Sequence, residues 1–272
     1  MINPSGEQYE IAHGDQRAVA VQVGGGLRTY SLGDRDIVDG FAVDEMCHAA
    51  RGHVLAPWPN RIAKGEYEFD GEAHRLPLTE PEADNAIHGL VRFVPWRLVE
   101  HDADRVRLEL LLYPQEGYPF TLLLQNEYRL GDGGLEGWTS AENVGREACP
   151  FGLGHHPYFL APTGAVDDVT YQLPGREPER VGDAQLDDTF AITDRDADGV
   201  AHVRVNGTTV WMDSNYGYVL LFTGDRPDVG RRSLAVEPMT CPANAFRTGE
   251  ALIRLEPGDR FEARWGIAPD GR

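Results

Sequence analysis

Five short segments carry the side chains suited to chemistry. The stretch Gly152-Leu153-Gly154-His155-His156-Pro157-Tyr158-Phe159 sets two imidazoles between a glycine-bearing turn and two aromatic rings. Imidazole is the side chain best matched to proton transfer near neutral pH. Ala235-Val236-Glu237-Pro238 ends an apolar run on a carboxylate, and partial burial there raises a carboxyl pKa toward the range of a general base. In Pro57-Trp58-Pro59-Asn60-Arg61 two prolines stiffen the backbone, and Arg61 offers a planar fork of donors for hydroxyls or a carboxylate. Asn85-Ala86-Ile87-His88-Gly89 places a histidine where a strand ends and the chain turns. Leu186-Asp187-Asp188-Thr189-Phe190 holds paired carboxylates, one of which can accept hydrogen bonds from hydroxyl groups. A flexible approach, a titratable tip and a flat apolar wall suit a small polyhydroxylated substrate. Taken singly, each segment also has an ordinary explanation as a core tryptophan, a satisfied histidine or a solvated aspartate pair.

Other chemistries find less support. Neighbouring positions of an extended chain point to opposite faces, so only one of His155 and His156 is expected in a given pocket. The same geometry opposes their sharing a metal ion, and no His-Glu-x-x-His pattern is present. No metal or cofactor is expected. There is no Gly-x-Ser-x-Gly elbow, and Gly24-Gly25-Gly26 lacks the following helix of a phosphate cradle and reads as a turn. Cys47, Cys149 and Cys241 are too scattered for a disulfide framework and read as buried thiols of a reducing compartment. A net charge of -19 opposes nucleic acid and anionic membranes as partners, though a local arginine can still hold a small anion. The first residues, Met1 to Glu7, have neither the basic nor the apolar region of a signal peptide, and no run of ~18 apolar residues exists to span a bilayer. The expected location is cytoplasmic.

The elements that must position these groups are strands. Ala18 to Val23, Val106 to Leu112 and Thr121 to Leu130 show period-two alternation, the last rich enough in apolar residues to be central. Two hairpins are signalled by Asp70-Gly71, between Glu66–Phe69 and a return toward Leu76, and by Asn206-Gly207, between Val203–Val205 and Thr208–Trp211. Tyr218 to Phe222, Ser233 to Glu237 and Phe261 to Trp265 add further strands. Nothing of 12 or more residues keeps a helical period, and Pro242 to Phe246 forms at most one short turn. Asp183 to Asp198 reads as a long loop. Residues 1–272 are expected to form one all-β domain, a large sandwich with very little helix.

In order, the five segments resemble the aldose 1-epimerase (galactose mutarotase) family. Asn60-Arg61-Ile62, Gly65, Phe69 before Asp70-Gly71, and Ile87-His88-Gly89 are similar to its N-terminal half. His156-x-Tyr158-Phe159, Asp187-x-x-Phe190 and Glu237-Pro238 are similar to its C-terminal signatures. The resemblance spans about residues 50 to 250. It implies a β-supersandwich and cofactor-free interconversion of the α and β anomers of a free hexose. By the same resemblance Glu237 is the base at the anomeric hydroxyl and His156 the acid at the ring oxygen. His88 and Arg61, beside Asn60, hold the ring oxygen and nearby hydroxyls, and Asp187 fixes hydroxyls further round. Trp58, Tyr158 and Phe246 are candidates for apolar walls.

Where many members carry Asn-His-Ser, this chain has His155-His156-Pro157, which stiffens the loop and removes a hydroxyl. The segments around Arg61 and His88 look closer to a bacterial branch that includes mutarotases of sulfonated glucose, with hexose-6-phosphate epimerases related to it. An anionic hexose is therefore the alternative substrate, with Arg92 or Arg97 as its anchor. Two further alternatives are a glycoside hydrolase using Asp187 and Glu237, and a sugar-binding module without turnover. A monomer or homodimer acting on a small sugar is expected.

Overall fold

The computed structural model describes residues 2–226 and 229–270. Strand accounts for 48% of the residues and helix for 4%, as the alternation predicts. Two antiparallel sheets dominate. One has nine strands, in the order Arg97–His101, Arg105–Leu112, Leu122–Gly131, Gly134–Asn143, Arg260–Pro269, Thr208–Met212, Ala201–Val205, Thr170–Gln172 and Glu179–Arg180. The other runs Asp187–Ala191, Tyr218–Phe222, Ser233–Met239, Gly154–His155 and Val54–Leu55, with Tyr158–Leu160 also paired to Ser233–Met239. A four-stranded meander, Gln8–His13 through Arg35–Asp36, and three two-stranded ribbons complete the strands.

The nine-stranded sheet follows from its sequence alternation. Val106, Leu108, Leu110 and Leu112 are buried on one face. The intervening residues face water and pair across strands, Arg97 with Glu109 at 2.6 Å and Arg107 with Glu127 at 2.6 Å. Leu122, Leu124, Tyr128 and Leu130 continue the inward row next door. These residues share one apolar cluster with Val219, Leu221, Val236 and Phe159 of the six-stranded sheet, so the two sheets close over a common core.

Both predicted hairpins form. Asp70-Gly71 (φ 52° and 80°) and Asn206-Gly207 (φ 46° and 71°) supply the two left-handed residues that a type I′ turn needs. The short turn after Pro242 is the helix Ala245–Thr248. The passage 183–198 departs from the loop expectation, because Asp187–Ala191 is an edge strand on Tyr218–Phe222. Its aspartates are exposed, and charge on an edge strand discourages pairing with another chain while leaving the backbone free to join the sheet.

Candidate active site

His156 and Glu237 meet because of strand register. Gly154 pairs with Met239, and Tyr158 with Ala235, which puts His156 directly opposite Glu237 on adjacent antiparallel segments. The backbone N–H and C=O of His156 bond the other way, to His53 O at 3.2 Å and from Gly52 N at 2.9 Å. The two residues therefore form a non-hydrogen-bonded pair, the kind in which side chains stand closest. Proline flanks the pair on each side. Pro157, opposite Val236, accepts from Val236 N at 3.1 Å but has no N–H to return, and Pro238, opposite His155, likewise donates nothing. The ladder is thinned where the two functional side chains project.

His156 Nε2 lies 3.1 Å from Glu237 Oε1, and both side chains are almost fully buried. Burial pushes the Glu237 carboxyl well above its ordinary range; the Asp187 charge adds to this and Arg61 offsets part of it. Burial, followed by the Arg92 cation, pushes His156 down to about 3. Both shifts disfavour charge, so at rest the pair is neutral and shares one proton. That is also the proton count of a carboxylate beside an imidazolium, so base and acid are two tautomeric forms of one unit.

The pair lines a cavity of about 630 Å³ that also takes in Asn60, Arg61, His88, Asp187 and Tyr158. Asn60 and His88 clasp one another. His88 N donates to Asn60 O at 2.9 Å, and Asn60 N donates to His88 Nδ1 at 3.2 Å. Both residues are left-handed, with φ of 53° and 62°, and both sit just outside the ladder of Arg61–Ala63 with Asn85–Ile87. The bond at Nδ1 has a chemical consequence. Neutral His88 must carry its proton on Nε2, a donor, and burial holds it neutral by pushing its pKa well below the ordinary value. One ring nitrogen or carboxylate oxygen from each of His88, His156 and Glu237 falls within 4.8 Å of the others, a spacing compatible with a metal ion. The tautomer opposes that use, because the nitrogen left to coordinate already holds a proton.

Arg61 is held rather than free. Its Nε and Nη2 donate to Glu80 at 2.8 and 3.1 Å, and its Nη1 donates to Asp187 Oδ2 at 2.9 Å. Asn85 Nδ2 braces Glu80 from the other side at 2.8 Å. Asn60 spends its side-chain oxygen on Arg61 N at 2.9 Å and so shapes its own turn.

Two expected wall residues are not in the cavity. Trp58 and Phe246 are buried and pack on each other with ring centroids 5.6 Å apart. Phe246 also meets Tyr67 in a T-shaped contact at 5.1 Å, so the ring is spent on the core. The apolar walls are instead Phe93, Ile87, Leu186 and Phe222. Tyr158 reaches the cavity only marginally, being 1% exposed and stacked behind His156 at 4.9 Å. Sequence reasoning missed Glu80, whose only signal is its place in the turn before Asn85, and Phe222, which ends a strand whose apolar run gives no hint of a cavity. His155 faces the opposite way, between Trp265 and Tyr216, with Nε2 on Thr139 Oγ1 at 3.2 Å. Arg92 lines the cavity, donates to Ile87 O at 3.2 Å, and has no carboxylate partner among the described residues. Arg97 lies on the outer sheet surface, paired with Glu109.

The family profile described as Aldose 1-epimerase matches residues 7–268. The uncharacterized Escherichia coli (strain K12) protein YihR is 34% identical over 280 aligned positions, covering 93% of this chain and 90% of its own. The galactose mutarotase of Sus scrofa is 28% identical, over 62% of this chain and 53% of that protein. The crystal structure of the GalM/aldose epimerase homologue from C. elegans superposes with a TM-score of 0.81 at 18% identity, covering 97% of this chain and 99% of the other. That of galactose 1-epimerase from Lactobacillus acidophilus NCFM gives 0.75 at 19%, covering 96% and 93%. These likenesses show that the fold is the expected galactose mutarotase-like supersandwich.

Proposed function

The chain belongs to the aldose 1-epimerase family, and we propose that it is an isomerase interconverting the α and β anomers of a free hexose. One observation carries this reading: a buried carboxylate and imidazole 3.1 Å apart in a cavity wall. In a cyclic hemiacetal the anomeric hydroxyl and the ring oxygen are bonded to the same carbon. An acid and a base that act on both must therefore stand side by side.

Glu237 removes the proton from the anomeric hydroxyl while His156 delivers one to the ring oxygen. The bond between C1 and the ring oxygen breaks, leaving an aldehyde and a free hydroxyl. Rotation about C1–C2 presents the other carbonyl face. Reclosure then returns a proton from Glu237 to the new anomeric oxygen and one from the attacking hydroxyl to His156. The pair ends each half-cycle with the same number of protons. His88, fixed with its proton on Nε2, donates a hydrogen bond to a sugar oxygen, and Arg61 and Asp187 meet hydroxyls further out. Each positioned acid or base contributes roughly 10²- to 10⁴-fold, enough for a hemiacetal that opens readily on its own. Glycosidic cleavage normally needs two carboxylates flanking the bond, and here Asp187 is tied to Arg61.

Arg92 favours a second reading, in which the hexose carries an anion. A half-buried guanidinium without a carboxylate partner among the described residues, on the wall of a sugar-sized cavity, is suited to a sulfonate or phosphate group. Exchange NMR of anomer signals across neutral, sulfonated and 6-phosphorylated hexoses tests both readings. Acceleration of a neutral hexose supports the first, and acceleration confined to anionic sugars supports the second. Failure on every aldose rejects the proposal.

A further inference from the structure

His156 is gripped from behind as well as faced from in front. The Tyr158 ring lies parallel to it, 4.9 Å away at 16°. The Arg51 guanidinium also packs on the Tyr158 ring, 4.5 Å from its centroid. Arg51 is 1% exposed and is not part of the cavity wall. Its Nη2 bonds Asp39 at 3.1 Å, and Asp39 is shared with Arg232 Nε at 2.8 Å and Ser233 Oγ at 2.7 Å. Among the described residues, Arg51 Nε and Nη1 have no hydrogen-bond partner. A buried cation with donors unused is a costly fixture, and stability alone gives no reason for it.

The segment that delivers Arg51 is equally unusual. His48 to Arg51 closes with Arg51 N on His48 O at 3.2 Å, and its two central residues, Ala49 and Ala50, are left-handed at φ 51° and 55°. Glycine or asparagine is the ordinary choice at such positions. The turn holds Tyr158 twice, through the Ala49 carbonyl that accepts from Tyr158 Oη at 3.1 Å and through Arg51 on the ring.

We propose that Arg51, acting through the Tyr158 ring, is a positioning residue that fixes the His156 imidazole in the plane facing Glu237. The proposal rests on the reading of His156 as the acid. The groups around His156 are Glu237, His88, His53 and Arg92, with Asp187 and Arg61 beyond Glu237 and the Asp39–Arg51 pair beyond Tyr158. Among them Arg51 is a cation whose distance is set by a rigid ring. It opposes a second positive charge on the imidazole, in the same direction as the larger effects of burial and Arg92. A fixed ring plane and a readier release of the proton are both properties a general acid needs.

The test uses the full chain and the hexose that the wild type interconverts fastest. kcat and KM are measured by exchange NMR across pH, and the His156 ring is titrated by ¹⁵N NMR. Arg51→Met and Tyr158→Leu are expected to lower kcat at least about tenfold, part of the 10²- to 10⁴-fold of a positioned acid, with KM within about twofold. In Arg51→Met the alkaline limb of the kcat profile and the His156 titration both move to higher pH, because an opposing charge is gone. Arg51→Lys restores the limb and most of kcat. If Arg51→Met does not fold, Tyr158→Leu, which leaves the Asp39–Arg51 pair in place, decides the matter through kcat. The proposal is overturned by an unchanged kcat and limb in the folded variants, or by equal losses in Arg51→Met and Arg51→Lys that track a falling Tm. A wild type that interconverts no sugar defeats the functional reading alone, since the His156 titration still reports whether Arg51 acts on the ring.

Discussion

The side chains of His156 and Glu237 touch across two antiparallel segments at a point where the register leaves them without a backbone bond between them. His156 sits in a two-residue link whose flanking strands, Gly154–His155 and Tyr158–Leu160, both pair with the strand that carries Glu237. The separation of the two side chains is a property of the sheet, so it resists thermal motion as the core does, and it makes the first prediction sharp.

Glu237→Gln and His156→Asn are each expected to lower turnover by about 10²-fold or more while sugar affinity changes little, since the lost terms are proton transfers. The double variant should be scarcely worse than either single one, because acid and base share one proton. Exchange NMR for turnover and calorimetry for affinity check this. Multiplicative losses in the double variant would show two independent groups.

Stability should respond to pH on both sides of a plateau set by this pair. The folded carboxyl of Glu237 is raised above its unfolded value, so its contribution is complete below about 4.3 and is lost as pH climbs toward the folded value. The folded imidazole of His156 is lowered to about 3, so its contribution is complete above about 6.5 and is lost as pH falls. His53 and His155, also held down to about 3 by burial, add to the acid-side loss. Urea melts across pH should show His156→Asn losing part of the acid-side decline and Glu237→Gln losing part of the alkaline one. Parallel profiles in all three proteins would contradict the assigned burial.

Arg92→Met is expected to raise KM for a sulfonated or phosphorylated hexose by about 10- to 100-fold, the equivalent of one charge-assisted hydrogen bond, while a neutral hexose is affected less than about threefold. Equal effects on both sugars would make Arg92 a general wall residue.

Phe246→Ala should destabilise the protein by about 3–5 kcal/mol, as for a large aromatic removed from a packed core, and leave KM of the remaining folded protein near that of the wild type. A large rise in KM with little loss of stability would return the ring to the substrate wall.

The strands and hairpins were legible because their cause is local. Alternation over Val106–Leu112, Asp70-Gly71 and Asn206-Gly207 each fix the backbone through their own side chains or their own φ angles. His156, Glu237, His88, Arg61 and Asp187 could be singled out as residue types in motifs, but their convergence is set by register, which no local pattern encodes. Two of the three aromatic assignments, Trp58 and Phe246, failed for a related reason. Trp58, Phe246 and Phe93 carry the same kind of ring, and only tertiary packing decides that the first two fill the core while Phe93, 57% exposed, borders the cavity. Glu80 escaped notice because an acid that restrains an arginine has no distinguishing spacing. Asp183 to Asp198 was misjudged because its acidic composition obscured an edge strand.

Pro157 and Pro238 turn the meeting point of two strands into a seam. Insertion or deletion of one residue between Gly154 and Tyr158 would slide the imidazole row by one place and offer His155, whose surroundings are Trp265, Tyr216 and Thr139, to the carboxylate. Single-residue length changes in this loop should therefore abolish function even where folding survives, whereas similar changes in distant turns pass unnoticed. Tolerance to length, mapped by scanning insertions, would trace the seam without any substitution of the reactive groups themselves.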